Sequence, residues 1–324
     1  MLLLLPAVLV DAAGGQVGGA ARFKVELHRY LAHTGRKDVR IIGATRQVDP
    51  AWLLRREVPV SVKGRRIALN NVSFVTPGSE RWALLRNPLD FLTEDEEAAL
   101  EPAQRAANQR RAAVVHLAAR RADVLVVPSQ GMAERVIQTR PALAGRVVVR
   151  HHPVSADSIP RLPREPGILC PVLFSPHKGM LDRIADLLTA IDDVADPAVR
   201  LHVTADRDEV PDTLARHRRI HVVGRLEHHA LRELWARTQA IYFPTAIESF
   251  GYPLAEARVH GQPVIALDTD QNREVAGPAL CAFSTGDLTT LRRAVERALT
   301  AEVTPDPAPF DPGAYFGWLL GPRP

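Results

Sequence analysis

The chain has 324 residues, of which 46% are hydrophobic and 24% charged, and its formal net charge is +4. This composition excludes a disordered or fibrous protein, and the length suits two domains of about 150 residues each. A charge excess this small gives little support to a polyanion partner, so we expect no nucleic acid to bind.

The N-terminal half begins with an apolar run from Leu2 to Val10. We interpret it as a buried strand rather than a signal peptide, because it lacks a positive leading segment and Pro6 interrupts it. A glycine loop and a helix ended by Gly35 follow. Further strands are predicted at 39–42, 124–129 and 147–149, and helices at 102–121 and 131–138. Between them lies a less regular region with the short apolar runs 67–69 and 82–85, of which we interpret 82–85 as a strand.

The proline-rich segment 152–166 has the composition of a linker between domains. Beyond it, apolar runs alternate with helical segments, which predicts a parallel, doubly wound sheet with helices on both faces. These runs are 168–174, 199–203, 220–223, 240–243, 264–267 and 280–283. We therefore predict an N-terminal domain at 1–153, a C-terminal domain at 154–304, and an aromatic tail at 305–324 that packs on the body.

The turn after the predicted strand 240–243 is the first candidate site, because ligands of open α/β sheets lie beyond the carboxyl ends of strands. It leads through Phe250, Gly251 and Tyr252 into a helix. Glycine lets a phosphate approach the backbone, and the free N–H groups at the start of a helix favour an anion. Backbone groups at these three residues are therefore candidates for binding the phosphate groups of a ligand.

Two glutamates flank this turn. Glu256 follows Glu248 by eight residues, about two helical turns, so that one carboxylate lies in the loop and the other points from the helix toward the same ligand. One can hold sugar hydroxyls and the other a ribose. Two glutamates at this spacing are also common on solvent-exposed surfaces.

A second turn follows the predicted strand 168–174 and contains Lys178 and Gly179. A lysine here can compensate the charge of a diphosphate leaving group when no metal is present, although a solvated lysine at the start of a helix is the alternative. The third turn, at 14–19, contains Gly18 and Gly19 and does not fit the dinucleotide pattern G-x-G-x-x-G well.

The segment 244–257 resembles the E-x7-E signature of the GT4-type retaining glycosyltransferases, the glycosyl transferases group 1 with a GT-B fold. The turns 260–266 and 273–277 resemble the next two turns of that family. The resemblance implies an α/β fold with two Rossmann-like, doubly wound parallel-sheet domains facing a cleft. It also implies transfer from a nucleoside diphosphate sugar, with retention and without a metal or other cofactor.

The resemblance also implies roles for single residues. Glu248 would hold the donor sugar, Glu256 the ribose, and Lys178 the departing diphosphate. The loop of Gly18 and Gly19 resembles the family's Gly-Gly loop, which closes over the donor phosphate.

Two positions depart from the family pattern. The arginine often found five residues before the lysine is Leu173 here, which leaves the second phosphate-binding cation unassigned. The histidine that many relatives place near the reacting carbon is absent after the run 82–85. We predict that Asn87 takes the place of this histidine as the catalytic contact from the N-terminal domain.

Other classes of function stay open. The two departures suit a non-catalytic nucleotide-sugar-binding protein or a degenerate partner subunit. A retaining glycosidase would need two carboxyl groups about 5 Å apart across the glycosidic bond, which this glutamate spacing does not obviously provide. The pairs Asp206 with Asp208 and Asp268 with Asp270 mimic the D-x-D metal motif, but neither has a second acidic cluster.

Acceptor and location are less well defined. The acceptor is an unidentified glycan, lipid or small molecule. The basic pairs Arg110-Arg111 and Arg120-Arg121 form either a solvated face or a surface for a membrane or an anionic acceptor. Cys170 and Cys281 lie in apolar runs and fit no disulfide framework, and we expect a cytoplasmic enzyme.

Overall fold

The computed structural model describes residues 7–58, 64–157, 159–160, 162–171 and 180–321. The chain divides into two compact units: unit 1 consists of Met1–Pro153 and Asp311–Pro324, and unit 2 of Val154–Phe310. Each unit contains a six-stranded sheet in which every paired strand is parallel. The predicted α/β fold with two parallel sheets is confirmed.

The strands of unit 1 are β1 (Val8–Asp11), β2 (Val39–Ile42), β3 (Arg65–Ala68), β4 (Arg81–Leu84), β5 (Val124–Val127) and β6 (Val147–Val149). Those of unit 2 are β7 (Glu165–Cys170), β8 (Arg200–Val203), β9 (Ile220–Val222), β10 (Thr238–Phe243), β11 (Val264–Leu267) and β12 (Leu280–Phe283). The helices are α1 (Gly18–Thr34), α2 (Pro50–Glu57), α3 (Glu94–Ala98), α4 (Pro102–Ala119), α5 (Gln130–Thr139), α6 (Met180–Asp192), α7 (Asp212–Ala215), α8 (His228–Arg237), α9 (Tyr252–Val259), α10 (Asp270–Ala276), α11 (Leu288–Thr300) and α12 (Pro312–Leu320).

In unit 1 the strand order is β2-β1-β3-β4-β5-β6. The less regular middle of this half supplies β3 and β4 at the centre of the sheet, and β4 lies at the strand predicted at 82–85. Of the first predicted strand, residues 2–6 lie outside the described residues, and β1 begins at Val8. In unit 2, β7 begins at Glu165, so the linker ends before the predicted residue 166.

A buried ion pair lies at the carboxyl end of β1. Asp11 is fully buried, and its Oδ2 is 2.5 Å from Nη1 of Arg56 on α2, which is 3% exposed. The same carboxylate accepts hydrogen bonds from Ala13 N (3.0 Å), Trp52 Nε1 (3.1 Å) and Asn70 Nδ2 (2.7 Å). Because charge and hydrogen bonds are both compensated, this pair can remain buried.

The last helix, α12, is part of unit 1, where it packs against α1 and β4. The ring of Phe316 lies 5.5 Å from that of Phe23 in α1, and the ring of Trp318 lies 4.9 Å from that of Trp82 in β4. Arg65 adds a hydrogen bond of 2.7 Å from its Nη1 to the carbonyl of Leu319. These contacts explain why the C-terminal residues are aromatic.

His152 is enclosed in this aromatic cluster and makes unit 1 sensitive to acid. Its ring lies 5.1 Å from that of Phe23, and burial, helped by Arg86, holds its pKa well below the usual value. The folded state therefore binds a proton on this ring less tightly than the unfolded chain does. The free energy of unfolding must consequently fall as the pH falls through the unfolded-state pKa of about 6.5.

Between about pH 7.5 and 5.5 we expect this one histidine to lower the free energy of unfolding by about 1.4 kcal/mol. Urea unfolding followed by tryptophan fluorescence measures the effect, and His152→Phe should reduce the pH dependence by that amount. The exposed His28 on α1 provides the control His28→Phe. Identical pH dependence in wild type and His152→Phe would contradict the prediction.

In unit 2 the strand order is β12-β11-β10-β7-β8-β9. The chain builds the sheet outward from β7 in one direction and then from β10 in the other, so the order reverses between these two neighbours. Cys170 in β7 and Cys281 in β12 are buried free thiols. Within the part of the chain that the structure describes, no helix is long and apolar enough to cross a membrane.

Candidate active site

Two of the predicted turns follow the adjacent strands β7 and β10, where the strand order of unit 2 reverses. Loops on either side of such a reversal diverge, which opens a crevice at the carboxyl edge of the sheet, and ligands of open α/β sheets bind there. The turn after β10 is described completely. Of the turn after β7, Lys178 and Leu173 lie outside the described residues.

Glu248 and Phe250 lie in the turn between β10 and α9. Glu248 is half-buried, and its Oε1 accepts a hydrogen bond from the backbone N–H of Ser249 at 3.1 Å. Phe250 is 2% exposed, with its ring 5.3 Å from Tyr252 and 6.0 Å from Phe310. The two aromatic side chains of the turn are thus packed inside unit 2, which leaves the backbone of the turn as the surface that can meet a ligand.

Position 251 in this turn has a backbone conformation that suits only glycine. Its φ is +79°, in the left-handed region, and a Cβ there would lie 2.9 Å from Cδ1 of Leu254. Gly251 is also the N-cap of α9, and no side chain caps that end of the helix. The N–H groups of Leu254 and Ala255 donate to the Gly251 carbonyl, and the positive end of the α9 dipole at this point suits an anionic group.

We expect Gly251→Ala to cost about 1–2 kcal/mol of stability through backbone strain alone. Gly286 gives a matched control, because its φ is +73° but a Cβ there would meet nothing within 4 Å. Both substitutions should lower the unfolding midpoint of unit 2 in urea, whereas only Gly251→Ala should also weaken nucleotide binding. Equal nucleotide affinity in the two variants would contradict the assignment of this turn.

Glu256 lies on α9 and is 9% exposed. The helix that carries it is held by Arg258, which donates to Asp306 Oδ2 (2.7 Å) and to the Glu274 carbonyl (3.1 Å). Gln262, in the turn after α9, donates from Nε2 to the Thr238 carbonyl at 2.6 Å. These bonds connect α9 to the segments around it and show that the family-like turns 260–266 and 273–277 have a structural role.

Arg183 on α6 is a residue that the sequence analysis missed. Its Nη1 donates to the carbonyl of Pro244, the first residue after β10, at 3.2 Å, and its own carbonyl accepts from the hydroxyl of Tyr242 at 2.9 Å. The helix that follows the Lys178 turn is thereby bonded to the beginning of the Glu248 turn. An arginine one turn into an amphipathic helix carries no signal that distinguishes it from a surface arginine.

In unit 1, Gly18 and Gly19 begin α1, directly after the loop that follows β1. Gly18 has a φ of +64°, and the N-cap Val17 provides no side-chain hydrogen bond. Lys24, which the sequence analysis did not single out, donates from Nζ to the carbonyl of Gly14 at 2.8 Å. Burial, and to a smaller extent the nearby Arg86, lower the pKa of Lys24.

Asn87 follows β4 and caps the short 3-10 helix Pro88–Phe91. Its side-chain oxygen accepts a hydrogen bond from the N–H of Leu89 at 3.3 Å. This side chain therefore has a structural partner, and its predicted catalytic contact stays a prediction.

Both aspartate pairs of the D-x-D type have arginine partners. Asp206 accepts from Nε of Arg225 at 2.9 Å, and Asp268 accepts from Nη2 of Arg273 at 2.6 Å. Among the described residues no group of three or more histidine, cysteine, aspartate or glutamate side chains is placed to hold a metal ion.

The C-terminal half of the chain is similar to a known protein family. Residues 172–301 match the profile of the family described as glycosyl transferases group 1. No sequence among the curated proteins matches the chain.

Three solved structures resemble the chain over most of their length. Sucrose-phosphate synthase from Thermosynechococcus elongatus is 15% identical with a TM-score of 0.62, and the match covers 97% of this chain and 93% of that one. WaaG, a glycosyltransferase involved in lipopolysaccharide biosynthesis, is 16% identical with a TM-score of 0.63, covering 91% and 90%. HepE from Anabaena, in complex with UDP, is 15% identical with a TM-score of 0.61, covering 96% and 97%.

At these identities the solved structures establish the fold, and the family profile, which lies within unit 2, establishes the domain type. The resemblance carried by the segment 244–257 and the two turns after it is thereby confirmed. Residues 172–301 in unit 2 therefore form a domain of the glycosyl transferases group 1 type, and the chain as a whole has the GT-B fold of the solved structures that it resembles.

Proposed function

We propose that the protein is a glycosyltransferase that uses a nucleoside diphosphate sugar as its donor and transfers the sugar to an acceptor hydroxyl with retention at the anomeric carbon. The observation that carries the proposal is the position of the Glu248 turn directly after β10, at the place where the sheet order reverses between β10 and β7. A nucleotide bound at this edge meets the uncapped start of α9. The UDP bound to HepE supports a nucleotide donor.

In this proposal the reaction breaks the bond between the anomeric carbon and the diphosphate oxygen, and a bond to the acceptor oxygen forms on the same face of the sugar. The acceptor proton passes to the leaving phosphate oxygen. Lys178 and the N–H groups near Gly251 stabilise the diphosphate charge, because fixed donors aimed at developing charge lower the barrier. Glu248 holds the sugar, and Glu256 holds the ribose.

We also propose that no divalent metal takes part, with Lys178 and the backbone N–H groups supplying the charge compensation. The arginine partners of Asp206 and Asp268 support this, since each D-x-D candidate already has one carboxylate in an ion pair. Gly18 and Gly19 are proposed as further donor-binding groups and Asn87 as the N-terminal catalytic contact. The free thiols of Cys170 and Cys281 are compatible with action in the cytoplasm.

A thermal-shift screen with UDP, GDP, ADP and dTDP in the presence of EDTA tests the donor site. A ligand that binds only the folded state raises the apparent melting temperature, so one nucleotide should produce a shift in wild type that is reduced in Glu256→Ala. No shift with any nucleotide would contradict the proposal. Binding without turnover would instead favour the alternative of a non-catalytic nucleotide-sugar-binding subunit.

The exposed side of α4 is proposed to contact a membrane. Val114 and Leu117 are 47% and 65% exposed, with Arg110 before them and Arg120 after. No acidic residue occurs between positions 102 and 121, so the helix suits an anionic lipid surface.

Leu117→Glu should reduce co-sedimentation with phosphatidylglycerol vesicles, and the control Val25→Glu, at a position 46% exposed on α1, should not. Equal sedimentation of both variants and wild type would reject this contact.

A further inference from the structure

Unit 1 contains a groove of about 510 Å³ that the proposed reaction does not use. It lies between α4, the end of α5 and the segment from Leu89 to Glu97. All of its lining residues lie between positions 89 and 140, and none belongs to the segments assigned to donor binding. Its volume is in the range of small-molecule sites, and its lining is rich in polar side chains.

Asp90 gives this groove an unused hydrogen-bond acceptor. The residue is 2% exposed, and its Oδ1 accepts from Nε of Arg111 at 2.7 Å. Its Oδ2 is buried and has no hydrogen-bond partner of ordinary geometry among the described residues. Burial raises the pKa of this carboxyl, and Arg111 and the nearby Asn87 amide oppose that rise. Buried polar atoms are nearly always paired, so an acceptor of this kind indicates that a ligand or an ordered water donates to it.

One wall of the groove is fixed by His116 and Arg140. The Nε2 of His116 lies 2.6 Å from the carbonyl oxygen of Asp90, and its Nδ1 lies 3.0 Å from Nε of Arg140. Burial lowers the pKa of His116, so the ring is neutral at pH 7. The neutral ring then carries its proton on Nε2 and accepts from Arg140 on Nδ1, which holds the guanidinium at the edge of the groove.

The charges around the groove select among ligands. Glu94 and Glu97 line it together with Asp90, so a phosphate or a carboxylate would meet three carboxylates. An ammonium group would meet the guanidinium group of Arg140, which lines the groove, and the Asp90 charge is already compensated by Arg111. A hydroxyl group donates a hydrogen bond without adding charge, and it therefore suits the free acceptor best.

We propose that this groove is a binding site for a neutral saccharide, one hydroxyl of which donates a hydrogen bond to Oδ2 of Asp90. The argument uses the geometry of unit 1 alone and does not depend on the proposed donor site. A second saccharide site of this kind would let the enzyme hold a sugar unit that takes no part in the bond exchange.

Ligand-observed NMR of the full chain tests the site, with the methyl glycosides of glucose, galactose and N-acetylglucosamine as neutral probes and glucuronate and glucosamine as charged comparators. Ala113 lines the groove on α4 and is exposed, so Ala113→Trp fills the groove without entering the core. Ala107 is exposed on the same helix outside the groove, and Ala107→Trp is the matched control. Glu256→Gln separates this site from the donor site.

We expect at least one neutral glycoside to bind wild type, Ala107→Trp and Glu256→Gln equally well. Its affinity should fall roughly tenfold or more in Asp90→Asn, which removes the charged acceptor, and at least as far in Ala113→Trp. Circular dichroism establishes that each variant is folded, and Ala113→Trp keeps the test valid if Asp90→Asn does not fold. The inference is overturned if no neutral glycoside binds at about 50 mM, far above the Kd of a weak millimolar site. Unchanged binding in Ala113→Trp, or preferential binding of a charged comparator, would overturn it equally.

Discussion

Glu248→Gln and Glu256→Gln are each expected to lower kcat/KM for the sugar donor by about 10- to 100-fold, the effect of losing one hydrogen bond to a charged group. The two variants should differ in nucleotide affinity. Glu256 is assigned to the ribose, so its variant should bind the nucleoside diphosphate alone more weakly. Glu248 is assigned to the sugar, so its variant should bind that nucleotide as wild type does.

Calorimetric titration with the nucleoside diphosphate, followed by steady-state kinetics with the sugar donor, separates the two roles. Glu296→Gln on α11 is a suitable control, because Glu296 is an exposed glutamate of unit 2 outside the turn. If both glutamate variants lost nucleotide affinity to the same extent, the division of labour between sugar and ribose would be wrong. If neither variant differed from Glu296→Gln, the segment would not be the donor site.

Asp11→Ala is expected to lower the free energy of unfolding of unit 1 by about 3–5 kcal/mol, because it leaves the buried guanidinium of Arg56 without its carboxylate. Arg56 is packed against Phe74, 4.6 Å from the ring centroid, and cannot turn to solvent without disturbing that contact. Trp52 donates to Asp11 and reports the change through its fluorescence during urea unfolding.

Removing both charges should cost less than the sum of the two single substitutions. The double variant Asp11→Val with Arg56→Met leaves no unpaired charge, and comparison with each single variant gives the coupling energy of the pair. If the free energy of unfolding of the Asp11→Ala protein lay within about 1 kcal/mol of wild type, the Asp11–Arg56 pair would not stabilise unit 1 as expected.

Most strands could be predicted from the sequence because a parallel sheet covered on both faces requires continuous apolar runs. The strands β2, β6, β11 and β12 have the bounds that those runs predict. All four residues of β11 are buried, whereas the edge strands β2 and β6 contain no fully buried residue, so an apolar run predicts the strand better than it predicts burial.

The centre of unit 1 could not be predicted because it buries charged side chains. Arg66 in β3 is 4% exposed and donates from Nη1 to Oγ1 of Thr76 at 2.7 Å. Arg56 on α2 is buried through its pair with Asp11, a residue 45 positions earlier in the chain. An arginine in a short apolar run indicates a solvent-exposed segment until its distant partner is known.

The candidate site likewise contains a part that the sequence predicts and contacts that it does not. The turn with Glu248, Gly251 and Glu256 could be predicted because one continuous segment carries the signal. The bond from Arg183 to Pro244, and the approach of Asp90 to Arg111 in the groove, connect separate parts of the chain. Such contacts depend on the folded sheet and leave no local pattern in the sequence.

The most direct test of the proposed reaction is to follow the anomeric proton by NMR while the purified chain turns over the nucleotide sugar whose nucleotide binds in the thermal-shift screen, with EDTA present. The account predicts that the nucleoside diphosphate is released without added metal and that the transferred sugar keeps the anomeric configuration of the donor. A product of inverted configuration, or turnover that requires a divalent metal, would contradict it.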